Sequence, residues 1–126
     1  MAKALVVEDD TDILNLVVAR CRRAGHQVIG VASGQEALQA LDERGDPDVA
    51  ILDVGLPNMS GLELLEKLRA RPGLAELPVI FLSARVQPEE IEAGRALGAT
   101  YLTKPFVASA LLAAIERTIP SSEDTW

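Results

Sequence analysis

Short apolar runs alternate along the chain with longer stretches of mixed polarity. The runs cover residues 4–7, 28–32, 49–52, 79–82 and the 101–102 pair with its flanks. Each is short, and several are rich in Val and Ile, as strands buried on both faces of a sheet require. The stretches between them carry apolar residues at helical spacing. Ile13, Leu14, Val17, Cys21 and Ala24 form one stripe, and Ala37, Leu38 and Leu41 a second. Leu62, Leu65 and Leu68 form a third, Ile91, Gly94 and Leu97 a weaker fourth, and Leu111, Leu112, Ile115 and Ile119 a fifth.

Local punctuation agrees with these elements. Ser33-Gly34-Gln35-Glu36 and Ser60-Gly61-Leu62-Glu63 both fit a capping box at a helix start. Pro88, Glu89 and Glu90 suit the first turn of the fourth helix, where the dipole favours acids. Gly25, Gly45 and Gly98 stand where helices should stop. Strict alternation of five strands with five helices predicts an α/β fold: a five-stranded parallel sheet with helices on both faces. The expected unit spans residues 1–119, and 120–126 reads as a flexible tail.

Composition narrows the function. With 126 residues the chain reads as one domain, and a single cysteine excludes an internal disulfide. The longest apolar runs hold about six residues, against ~20 for a membrane-spanning helix. The start of the chain offers no secretory pattern, so a cytoplasmic protein is expected. Twelve basic against 19 acidic residues give a net charge of −7, which disfavours direct binding of nucleic acid. Aromatic residues are only 3%, so no platform for stacking bases is expected. Neither a GxxxxGK nor a GxGxxG motif is present.

In parallel sheets of this kind, ligands bind beyond the carboxyl ends of the strands. Glu8, Asp9 and Asp10 follow the first strand, Asp53 the third, Ser83 the fourth and Lys104 the fifth. Asp10 also suits the cap of the helix that opens at Thr11. Two carboxylates ~4 Å apart repel by about 4 kcal/mol at an effective dielectric of 20, so such a group needs a cation. Mg2+ takes a few protein oxygens and completes its shell with water. A lysine adds a point charge suited to a phosphoryl oxygen. Carboxylate nucleophile, Mg2+, lysine and hydroxyl together make a phosphoryl-transfer site. His26, which follows Gly25 in a turn, reads as a surface residue, Cys21 as core, and Trp126 as incidental.

Five segments resemble the receiver domains of bacterial two-component response regulators. They are Val6-Val7-Glu8-Asp9-Asp10, Leu52-Asp53-Val54-Gly55-Leu56-Pro57, Ser60-Gly61, Phe81-Leu82-Ser83-Ala84 and Tyr101-Leu102-Thr103-Lys104-Pro105-Phe106. The resemblance implies the flavodoxin-like strand order 2-1-3-4-5. It implies that Asp53 accepts a phosphoryl group from a sensor histidine kinase or phosphotransfer protein. It further implies that Asp9, Asp53 and the Gly55 backbone carbonyl ligate Mg2+, with Glu8 acting through water or by holding Lys104. Lys104 and Ser83 would contact the phosphoryl oxygens, and Tyr101 would turn inward as Ser83 moves. Such a domain assists its own phosphorylation and dephosphorylation and is not expected to be an enzyme.

The chain departs from the family at several points. Gly55 has no side chain where one often tunes phosphoryl lifetime. Ser83 replaces the commoner threonine, Arg85 stands two residues beyond it, and the stretch before Tyr101 is one residue short. A phosphatase similar to the haloacid dehalogenase type is the alternative, but that resemblance implies a second aspartate two residues after the nucleophile, where this chain has Gly55. A degenerate receiver that works without phosphorylation is a further alternative, against which the intact acids, Ser83 and Lys104 speak. Downstream, an effector protein or domain is the expected partner. Many DNA-binding relatives dimerise through the face of the fourth helix, fifth strand and fifth helix, using matched opposite charges. Glu89, Glu90 and Glu92 against Arg95, with Thr100 opening the strand, match that pattern poorly. A monomer is therefore expected, with a phosphorylation-dependent dimer as the alternative.

Overall fold

Five strands pair in parallel into one sheet. They are β1 (Lys3–Val7), β2 (Gln27–Val31), β3 (Val49–Asp53), β4 (Val79–Ser83) and β5 (Thr100–Thr103), in the order β2-β1-β3-β4-β5. Around them lie α1 (Thr11–Arg23), α2 (Gly34–Arg44), α3 (Gly61–Arg69) and α4 (Ala108–Thr118). The computed structural model describes residues 2–84, 89, 92, 96 and 98–118. The predicted stripe of Ile91, Gly94 and Leu97 lies outside the described residues, as do Arg85, Pro88, Glu90, Arg95, Ile119 and the expected tail at 120–126. Four helices are thus described where five were predicted.

A period of two in each strand sorts its side chains onto two faces. Leu5, Val7, Ala50, Leu52, Val79 and Phe81 enter one core with Ala37 and Leu41 of α2 and Leu64, Leu65 and Leu68 of α3. Ala4, Val6, Val49, Ile51, Ile80 and Leu82 enter the other with Val17 and Cys21 of α1 and Leu111 and Ile115 of α4. Every residue of β3 and β4 is buried. The edge strands β2 and β5 are only partly so, because each has a neighbour on one side. The expectation of full burial therefore fails at the edges.

Local sequence sets the helix ends. Asp10 caps α1 by accepting from the Ile13 N–H at 3.1 Å, and Ser60 caps α3 by accepting from the Glu63 N–H at 3.1 Å. Ser33 does the same for Glu36 at 3.2 Å, while the Glu36 carboxylate accepts from the Ala32 N–H at 3.0 Å. Gly45 ends α2 with φ 87°, a left-handed conformation in which a Cβ would be strained. Two expectations need correction. His26 is half-buried, and its Nδ1 accepts from the Ala2 N–H at 3.1 Å, tying the start of the chain to the turn before β2. In α3 the buried leucines are Leu64, Leu65 and Leu68, and the predicted Leu62 is only half-buried. Cys21 is core as expected, and burial pushes its thiol up to about 11. Among the described residues no helix is long and apolar enough to cross a membrane.

α1 packs on one face of the sheet and α2 and α3 on the other, and the order in which strands are added turns back between β1 and β3. The carboxyl ends of these two strands flank the resulting crevice.

Candidate functional site

The crevice brings together residues from three strand ends. Glu8 and Asp9 follow β1, Asp53 is the last residue of β3, and Lys104 follows β5. Ser83 is likewise the last residue of β4, so Asp53 and Ser83 stand inside their strands and not beyond them. Pairing extends past the strand ends: the Glu8 N–H reaches Val31 O at 3.1 Å, and the Lys104 N–H reaches Ser83 O at 2.8 Å. These bonds fix the backbone from which both charged side chains project. Lys104 precedes a cis peptide bond to Pro105.

Glu8 is fully buried, and Asp53 and Ser83 are 7% and 5% exposed. The Lys104 ammonium lies 2.5 Å from Glu8 Oε1 and 3.2 Å from Asp53 Oδ2. Asp53 Oδ1 accepts from the Gly55 N–H at 3.0 Å, and Glu8 Oε2 accepts from the Asp10 N–H at 3.1 Å. One lysine thus bridges two acids, and each acid keeps a backbone donor of its own.

The charges are uneven. Burial pushes the Glu8 carboxyl up to about 7, aided by its hydrogen bond with Asp53 and opposed by Lys104 and the Asp10 N–H. Burial also disfavours the charge on Asp53, but the bonds from Glu8 and the Gly55 N–H, with the charge of Lys104, outweigh it. Asp53 therefore ionises below the usual carboxylate range. Burial acts against the Lys104 ammonium too, yet Glu8 and Asp53 hold its pKa above the ordinary value. Glu8 therefore holds its proton to a higher pH than an ordinary carboxylate, while Asp53 and Lys104 are charged at neutral pH.

Carboxylate oxygens of Glu8, Asp9 and Asp53 lie within 4.8 Å of one another. Asp9 is exposed and the other two are buried, so the cluster opens to solvent on the Asp9 side. Buried Glu8 Oε1 has the ammonium beside it but no aligned hydrogen bond. Hard oxygens at this spacing, open to solvent on one side, fit a small divalent cation. Gly55 is exposed, and a methyl group there would stand 3.8 Å from Asp53 Oδ1.

The structure brings Glu8, Asp9, Asp53, Gly55 and Lys104 together, with the Gly55 N–H on the Asp53 carboxylate. Tyr101 is not part of the carboxylate cluster. Its ring packs on Phe81 with centroids 5.2 Å apart, and β4–β5 register aligns the two residues. Phe81 and Ser83 are two apart on β4, so Tyr101 and Ser83 belong to the same sheet face. Sequence reasoning missed the Gly55 and Asp10 N–H donors, because a backbone amide leaves no signature in residue type.

The chain matches the response regulator receiver domain family over residues 4–116. It is 39% identical over 120 residues to the transcriptional regulatory protein KdpE of Mycobacterium tuberculosis, covering 94% of this chain and 51% of that protein. It is 39% identical over 117 residues to the phosphate regulon transcriptional regulatory protein PhoB of Rhizobium meliloti, covering 92% of this chain and 51% of that one. The chain thus spans about half the length of these regulators. The chemotaxis protein CheY4 of Vibrio cholerae superposes with a TM-score of 0.87 at 35% identity, covering 94% of this chain and 99% of that structure. Sheet order, the acidic crevice with its bridging lysine, and these likenesses agree: the chain belongs to the receiver domains of two-component response regulators.

Proposed function

We propose that Asp53 is the phosphoacceptor of this receiver domain. The observation that carries the reading is its carboxylate, held between the Lys104 ammonium at 3.2 Å and the Gly55 N–H at 3.0 Å beside two further acids. An Asp53 oxygen attacks the phosphorus of a phosphohistidine on a sensor kinase or phosphotransfer protein. The phosphorus–nitrogen bond breaks, a phosphorus–oxygen bond forms, and the imidazole leaves. Low basicity keeps Asp53 ionised for attack. Asp9, Asp53 and the Gly55 carbonyl would hold Mg2+, with Glu8 acting through water. The ion would supply positive charge to the phosphoryl oxygens.

Lys104 has two tasks in turn. Before transfer it balances Glu8 and Asp53; afterwards it pairs with a phosphoryl oxygen, while Glu8 keeps it aimed. The Ser83 hydroxyl donates to the phosphoryl group. Movement of Ser83 along the face it shares with Tyr101 is the proposed link to the partner surface. A downstream effector reads that surface, and the domain, taken as residues 1–119, is cytoplasmic and monomeric. It acts as a switched phosphoacceptor that assists its own turnover and has no separate substrate.

The test is mass spectrometry after incubation with acetyl phosphate and Mg2+. One phosphoryl group should be added, and Asp53→Asn should abolish it. Undiminished labelling of the Asn variant would overturn the assignment.

A further inference from the structure

The chain contains the same four-residue pattern twice, Ser33-Gly34-Gln35-Glu36 and Ser60-Gly61-Leu62-Glu63. Both serines cap a helix, and in both the glycine is the first helical residue and is buried. Neither glycine has the positive φ that would require the residue for its backbone. Capping therefore accounts for the serines and leaves the glycines unexplained.

Their surroundings differ. A methyl group on Gly34 would meet the Met59 side chain, with Sδ at 2.8 Å. A thioether on rotatable bonds can move aside. A methyl group on Gly61 would meet backbone: Asp53 O at 2.5 Å, Val54 Cα at 3.0 Å and Asp53 C at 3.1 Å. That backbone cannot turn away by a rotamer change, because it is pinned on both sides. Asp53 lies in β3 between β1 and β4, the Val54 N–H reaches Leu82 O at 3.0 Å, and the Gly61 N–H reaches Val54 O at 3.0 Å. The last of these bonds closes the loop that carries Gly55, whose N–H holds Asp53 Oδ1.

We propose that Gly61 is a positioning residue for the phosphoacceptor: its bare Cα lets α3 seat directly on the Asp53 carbonyl and so fixes where the Asp53 carboxylate and the Gly55 amide stand. The inference rests on the reading of Asp53 as phosphoacceptor. Gly34, in the same local sequence, has no such task. A displacement of the Asp53 backbone moves the nucleophile relative to Lys104 and the acidic cluster, and misplacement of ~1 Å can slow a reaction by about 100-fold.

The experiment compares matched variants. Gly61→Ala and Gly34→Ala are phosphorylated with acetyl phosphate at saturating Mg2+ and donor, well below the melting temperature of each. Gly61→Ala should lower the saturated rate about tenfold or more and shift the Gly55 amide resonance. Gly34→Ala should leave both unchanged. A purely structural glycine would lower the melting temperature and leave the saturated rate of the folded protein alone. Should Gly61→Ala fail to fold, Ser60→Ala and Ser33→Ala replace the pair. Each removes one cap, and only Ser60→Ala should slow phosphorylation and move the Gly55 resonance. Equal rates within the pair overturn the inference. Asp53→Asn separates the two readings: labelling of that variant overturns the phosphoacceptor assignment, whereas loss of labelling with equal glycine variants overturns only the role of Gly61.

Discussion

Replacing Glu8 by Gln should make the metal-free protein more stable at pH 8 and change it much less at pH 5. Glu8 is fully buried against Lys104 and Asp53, and its carboxyl is raised from 4.5 to about 7. A change of that size corresponds to about 3 kcal/mol between its two protonation states. Sharing of the proton with Asp53 reduces the effect on folding to about 1–2 kcal/mol. The folded value lies above the unfolded one, so this stability is complete below pH 4.5 and is lost as pH rises through about 7. Asp53 acts in the opposite window: its value is lowered from 3.8, and its contribution disappears only as pH falls below that. Lys104 is raised from 10.5, so its contribution disappears only above that pH. Of these three groups, Glu8 alone titrates between pH 5 and 8. Glutamine keeps the shape and carries no charge, so it imitates the protonated form at every pH.

Thermal melts followed by circular dichroism, in a chelator at pH 5, 6, 7 and 8, measure the difference. The melting temperature of Glu8→Gln should exceed that of the native sequence by about 4–8 °C at pH 8, and the gap should fall to about a quarter of that at pH 5. A gap that stays constant across the series, or one that grows towards pH 5, refutes the account of the buried pair.

Three further outcomes are expected. Millimolar Mg2+ should raise the melting temperature, by an amount equivalent to about 2.7 kcal/mol at ~100 times its dissociation constant. Asp9→Ala should remove most of that rise, and an undiminished rise would put the metal elsewhere. Leu64→Ala should cost about 2–5 kcal/mol in urea unfolding, because Leu64 is fully buried; half-buried Leu62→Ala should cost clearly less, and equal losses would contradict the orientation of α3. With beryllium fluoride in place of a phosphoryl group, sedimentation should give a monomer. A tight dimer that Tyr101→Ala dissolves would refute the monomer and support the switch.

Much of this molecule is set by short-range pattern. A run such as Val79-Ile80-Phe81-Leu82 is legible as a strand because β-branched and aromatic residues without polar interruption suit a sheet buried on both faces. Asp10, Ser33 and Ser60 are legible as caps because the groups they satisfy lie three residues away. Strand ends carrying acids, a hydroxyl and a lysine pointed to the site, because a parallel sheet collects its strand ends on one edge. Tertiary structure decided the rest. Leu62, Leu64 and Leu65 are the same residue type within one turn, so which of them is buried depends on how α3 is rotated against the sheet. Lys104 and Asp53 are 51 residues apart, and only the pairing of β3, β4 and β5 brings them to 3.2 Å. The raised pKa of Glu8 comes from burial beneath that same edge. Gly61 reads in the sequence as a small residue after a cap, yet its significance is a distance to the Asp53 carbonyl, which exists only once helix and strand are packed.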